Sequence, residues 1–179
     1  GDVRLDKDTA EIFYHCLGCM QCTAHCVHGI TVCDTLEAAR SMAVEAKKAP
    51  PEAERWLEKF RKFNNPSGKN LHIVAQEAVD NDYFERAARV VYLPGSTMLG
   101  ETPELIGFTF ELLEKLGVQT VAMFGGTDTC TGLALLRMGF TEFFRKHAQR
   151  VFRQLAGLRM IITGCPETMY ALKTVYSRF

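Results

Sequence analysis

Four cysteines, Cys16, Cys19, Cys22 and Cys26, fall in the stretch His-Cys-Leu-Gly-Cys-Met-Gln-Cys-Thr-Ala-His-Cys-Val-His with the spacing C-x2-C-x2-C-x3-C. Intervals this short turn successive sulfurs inward around one body several ångströms across, and Gly18 relaxes the backbone where it must wrap closely. Chains use this spacing to hold a cubane [4Fe-4S] cluster, with three thiolates on one cubane and the fourth commonly on a second. A zinc site usually draws on two ligand pairs separated by a longer stretch. A disulfide knot would come with a secretory leader and a wider cysteine framework. The run fits neither, so it is read as iron–sulfur ligation by Cys16, Cys19, Cys22 and Cys26.

Lys and Arg number 21, as do Asp and Glu, so the formal charge is zero and nucleic acid is not an expected partner. No apolar stretch approaches the roughly 18 residues that cross a bilayer, and no charged-then-apolar leader opens the sequence. Seven cysteines in such a context point to a reducing compartment, the cytoplasm or the cytoplasmic face of a membrane. With 47% hydrophobic residues, 179 positions suffice for one ordinary domain or two small ones.

Periodicity suggests the layout. A short helix is expected from Leu5 to Tyr14, started by Asp6 or Asp8, with Ile12 and Phe13 beneath the cysteine loop. Asp34 and Glu37 read as a capping box for a helix to about Ala46, its apolar face Leu36, Ala39, Met42, Ala43 and Ala46. Pro50-Pro51 starts a helix striped by Trp56, Leu57, Phe60 and Phe63. Residues 69–88 read as a connector with a helical turn around Ala75 to Val79. Strands are expected at Val90 to Leu93, Val118 to Phe124 and Met160 to Thr163. Between them lie a helix capped by Thr102, carried by Leu105, Ile106, Phe110, Leu112, Leu113 and Leu116, and a helical region from Gly132 to Leu155 broken near Gly139. A last helix runs from Glu167 to Tyr176. The fold class is therefore α/β: an α-helical ferredoxin-like module over 1–48, a helical connector over 49–87, and a Rossmann-like parallel sheet with helices on both faces over 88–179. In such a sheet the loops at the carboxyl ends of the strands form the ligand edge, which brings Cys130 and Cys165 together.

A cysteine run followed by helices and a Rossmann-like half resembles the iron–sulfur subunits of the heterodisulfide reductase type, including the anaerobic glycerol-3-phosphate dehydrogenase and lactate-utilisation subunits. That family's cysteine-rich domain carries Pro-Gly-Cys, Cys-Cys-Gly and Cys-Pro-x-Cys after successive strands. Here Pro94-Gly95-Ser96, Cys130-Thr131-Gly132 and Cys165-Pro166-Glu167-Thr168 take those places. Ser96, Thr131 and Thr168 stand where the full motif has cysteine, and hydroxyls are poor iron ligands. The resemblance implies a scaffold that has lost its own cluster site. It also implies a paired cysteine motif, so a first motif is expected before Gly1 and a second cubane with it. Cys26 would then serve that second cluster, and Val27 replaces the Pro usual after it. An intact second copy of the cysteine-rich domain is expected beyond Phe179 or in another subunit.

Several residues keep more than one reading. Cys33 either closes the cubane or faces the core at the base of its helix. Cys130 and Cys165 are buried small hydrophobes at a retired site, ligands with outside help, or a redox dithiol, the last requiring α-carbons within about 7 Å. His15, His25 and His28 are read as neighbours that tune potential rather than as ligands, and His72 and His147 as isolated surface or core residues. Arg55 to Phe63 and the group Phe140, Phe143, Phe144 serve equally as docking faces or core. The functional expectation is an electron-transfer subunit of a larger oxidoreductase, without catalytic residues of its own. Its partners would be redox subunits carrying a flavin or iron–sulfur centre, or a membrane quinone-linked subunit. The alternatives are a disulfide-reductase-like enzyme acting through Cys130 and Cys165, and a module stapled by a structural metal.

Overall fold

The computed structural model describes residues 5–85, 87–118, 121–124 and 130–179. Residues 119–120 of the expected second strand, and Gly125 to Thr129 of the loop after it, lie outside the described residues. In chain order the elements are α1 (Lys7–Tyr14), α2 (Gln21–Ala24), α3 (Val32–Glu45), α4 (Pro51–Phe63), α5 (Leu71–Ala78), α6 (Asp82–Glu85), β1 (Val90–Tyr92), α7 (Ser96–Glu101), α8 (Leu105–Lys115), β2 (Val121–Met123), α9 (Leu133–Arg137), α10 (Thr141–Leu155), β3 (Met160–Ile162) and α11 (Pro166–Tyr170). A π-helical stretch, Ala171–Val175, and a 3-10 turn, Tyr176–Arg178, continue α11. Among the described residues no helix is long and apolar enough to cross a membrane.

The chain divides into two compact units. The first comprises Gly1–Glu58 and Ala134–Arg145. Asp6 opens α1 by accepting the Thr9 N–H at 2.9 Å, which fixes the helix start at Lys7. The expected capping box on α3 is replaced by an earlier start: Thr31 is the N-cap, without a side-chain bond, and Asp34 lies inside the first turn near the positive end of the helix. The buried positions of α3 are Arg40 and Ala43, while Met42 is 60% exposed, so the inward face is turned from the expected one. Ile12 also points outward at 64% exposure. Phe140 and Phe144 are buried and only Phe143 is exposed, which makes most of that aromatic group core.

The second unit comprises Lys59–Leu133 and Lys146–Phe179. Its centre is a three-stranded parallel sheet of order β2-β1-β3, giving a mixed α/β architecture. Val91 of the central strand pairs with Ala122 on one side and Ile161 on the other. Strand alternation feeds two separate cores. Tyr92, Val121 and Met123 pack with Leu71, Ala75, Leu99, Ile106 and Phe110. Val91, Leu93, Ala122 and Phe124 pack with Val151 and Leu155. Both faces are thus covered by helices, α5, α7 and α8 on one and α10 on the other.

Two expectations fail in this unit. The segment after β1 turns at Gly95 straight into α7, so Thr102 closes that helix, its N–H bonding the Met98 carbonyl, rather than opening the next. Helix α8 buries Ile106 and Phe110 but leaves Leu105, Leu112 and Leu116 exposed together with Phe108. A helix lying on a sheet hides one stripe, and the others fall outside it whatever their hydrophobicity.

Gly139 separates α9 from α10 at φ +89°, and an added Cβ would lie 2.5 Å from the Arg40 carbonyl carbon. Gly139→Ala is expected to destabilise the protein by at least ~1–3 kcal/mol, the usual cost of such a backbone conformation. A denaturant midpoint indistinguishable from wild type would refute this account.

Candidate functional site

The cysteine loop follows α1 and wraps through three left-handed residues, Gly18 (φ +66°), Met20 (φ +61°) and Gly29 (φ +67°). Gly18 donates its N–H to Cys16 Sγ at 3.4 Å, and Ile30 donates to Cys26 Sγ at 3.4 Å. Met20 is the strained member because its Cβ crowds the backbone at this φ. Cys33 follows on the first turn of α3.

The thiols lie in different surroundings. Cys19 and Cys22 are exposed, whereas Cys16, Cys26 and Cys33 are half-buried. Burial pushes the Cys33 thiol up, opposed by the Met20 N–H and reinforced by Cys22 and Cys16. Cys26 is held low by the N–H groups of Ile30 and His28, then Gly29, all from its own loop. Among the described residues no group of three or more His, Cys, Asp or Glu side chains stands ready to grip a single metal ion. A zinc tetrahedron with 2.3 Å bonds would need its sulfurs within about 4 Å of one another. Cys16, Cys19, Cys22 and Cys26 lie on the one loop and its short helix α2, and Cys33 on the first turn of α3.

The loop is anchored from beneath by a residue that sequence patterning passes over. Arg40 is buried, and its guanidinium donates to the carbonyls of Phe13 (2.8 Å), Arg137 (2.7 Å) and Cys16 (2.5 Å). It also stacks over the Tyr14 ring at 5.1 Å. Burial pushes the Tyr14 hydroxyl up to about 12 despite Arg40, so it remains a neutral donor to the Met138 carbonyl. An apolar-face pattern records Arg40 as an interruption; the available signal is an arginine midway along the inward line from Leu36 to Ala43.

At the carboxyl edge of the sheet the expected residues meet. Cys130 Sγ receives the Gly132 N–H at 3.4 Å, and the neighbouring Ser96 hydroxyl helps hold its thiol down. A Cβ on Gly95 would lie 2.7 Å from Cys165 Cβ and 3.5 Å from Thr168 Oγ1. Cys130 is buried, and burial pushes its thiol up to about 11, with the Glu167 and Cys165 charges adding to the rise. His147 is a core residue here: Arg150 donates to Nδ1 at 2.9 Å, leaving Nε2 to donate to the Cys130 carbonyl at 2.7 Å. Tyr176 donates to the Thr131 carbonyl at 2.8 Å.

No family model, curated protein or solved structure matches the chain.

Arg40→Leu is expected to lower unfolding free energy by roughly 3–5 kcal/mol, from three charge-assisted bonds at about 1.5 kcal/mol each. A loss below 1 kcal/mol in urea would show that the clasp is unimportant. For Cys130, the folded-state value lies above the ordinary 9.0, so its contribution is intact below pH 9 and is lost as pH rises through about 11. Stability should fall by up to ~1.4 kcal/mol per pH unit across that window. Cys130→Ala should flatten the profile there, and identical slopes for both proteins would contradict the assignment.

Proposed function

We propose that the chain is an iron–sulfur electron-transfer subunit of a larger oxidoreductase. The observation carrying this reading is the run Cys16, Cys19, Cys22, Cys26, together with the N–H groups of Gly18 and Ile30 directed at its sulfurs. A bound cubane would supply one-electron chemistry at a potential set by burial, charge and hydrogen bonds to sulfur. The chain's own residues would set those conditions. The N–H donors favour thiolate over thiol, and the Arg40 charge behind the Cys16 carbonyl favours the more negative, reduced state.

Leu17 is 89% exposed and Val27 91% exposed, with Ile30 at 55%, around a loop whose Cys19 and Cys22 are also exposed. That apolar rim suits a redox partner that must come close and exclude water, a flavin or iron–sulfur subunit or one linked to membrane quinone. The reading places the chain in the cytoplasm or on the cytoplasmic face of a membrane. The sheet unit is read as the family's Rossmann-like cysteine-rich scaffold with its own ligand set depleted. Disulfide chemistry through Cys130 and Cys165 is disfavoured because a buried thiol with a raised pKa is a weak nucleophile.

Protein prepared without oxygen should carry iron and acid-labile sulfide in equal amounts and show broad visible absorption that a strong reductant bleaches. Cys19→Ser should lower iron content several-fold. Wild-type protein that holds no iron, or holds a metal with no redox response, would sink this reading.

A further inference from the structure

We propose that the outward face of α8, with the acidic cavity beside it, is a docking surface for an amphipathic helix of a partner protein whose apolar stripe is edged by Lys or Arg. The surface belongs to the sheet unit and does not depend on the iron–sulfur reading. Helix α8 buries Ile106 and Phe110 in the core beside the sheet, which accounts for one apolar stripe. Leu105, Phe108, Leu112 and Leu116 form a second, exposed by between 43% and 68%. Their spacing, i, i+3, i+7 and i+11, sets them in one line along the helix. Apolar residues exposed singly are ordinary on a protein surface, whereas a contiguous patch marks a place of association. A line of knobs at helical spacing is met best by the groove of another helix.

Charge selects the occupant. Gly107 and Glu111, on the rows of α8 next to Phe108, form one wall of a cavity of about 450 Å³, and residues from the end of α5 to Tyr83 of α6 supply the rest. Glu77, Asp80 and Glu111 line it, and among the described residues no Lys or Arg does. No salt bridge among the described residues reaches those carboxylates. Tyr83 also lines the cavity, its ring centroid 4.2 Å from that of Phe110 and its hydroxyl donating to Glu114 at 3.3 Å. Carboxylates beside an aromatic ring suit a guanidinium or ammonium group. A helix that interlocks with the exposed stripe carries its edge residues over Glu111, where a Lys or Arg reaches the cavity. The same charges disfavour a second copy of this chain. A symmetric pair centred on the stripe has its two-fold axis between Phe108 and Leu112, which would bring the two Glu111 carboxylates together.

The test titrates the full chain into a fluorescein-labelled peptide of two heptads, with Leu at the a and d positions and Lys at the others, and follows anisotropy. Beside wild type stand Leu112→Glu and the triple variant Glu77→Gln, Asp80→Asn, Glu111→Gln, all at exposed positions. Each should weaken binding about ten-fold or more, and a peptide with Glu in place of every Lys should bind wild type about ten-fold less tightly or worse. The triple variant, which changes no side chain's size appreciably, decides the matter even if Leu112→Glu does not fold. Unchanged binding in the triple variant, or equal binding of the two peptides, would overturn the proposal. Two other results give the face to a different occupant and would overturn it as well. One is a wild-type dimer in sedimentation equilibrium that Leu112→Glu abolishes, and the other is wild type that pellets with phosphatidylcholine vesicles when Leu112→Glu does not.

Discussion

The cysteine unit depends on one buried cation. Arg40 holds the end of α1, the first cysteine and the end of α9 through their carbonyls, and Gly139 abuts its backbone. Taking a guanidinium out of water is unfavourable unless its donors are matched, and here three main-chain oxygens and an aromatic face match it. Carbonyls at the ends of helices are the groups left without partners by the helix itself. One side chain thereby satisfies orphan acceptors on separate segments, which is why a polar residue occupies a position that periodicity would give to a hydrophobe.

Much of the layout was legible from spacing. The three strands, the break at Gly139, the helix after Pro50-Pro51 and the meeting of Ser96, Cys130 and Cys165 follow from runs of β-branched residues, Gly and Pro punctuation and the parallel connection. Which stripe of each helix faces inward was less legible. Met42 and Leu112 are apolar and exposed, whereas Arg40 and His147 are polar and buried. Burial is decided by contacts between segments far apart in sequence, and a single-segment pattern does not contain them. Helix α7 was missed because its six residues, with a glycine among them, carry too little periodicity to register.

The cysteines show how strongly surroundings separate chemically identical groups. Cys26 is met by N–H donors that hold its pKa down, Cys130 is buried and pushed up further by the Glu167 and Cys165 charges, and Cys33 is pushed up by burial against the Met20 N–H. Residue identity locates the thiols; the local field decides how readily each gives up its proton.

The turn at Cys130 is held through its main chain. His147 and Tyr176 grip the carbonyls of residues 130 and 131, not their side chains. A turn fixed in this way is indifferent to most of what its side chains become, provided they stay small. Side-chain substitutions at such an edge are therefore expected to cost folding little, because the turn is held by bonds that every residue's main chain can make.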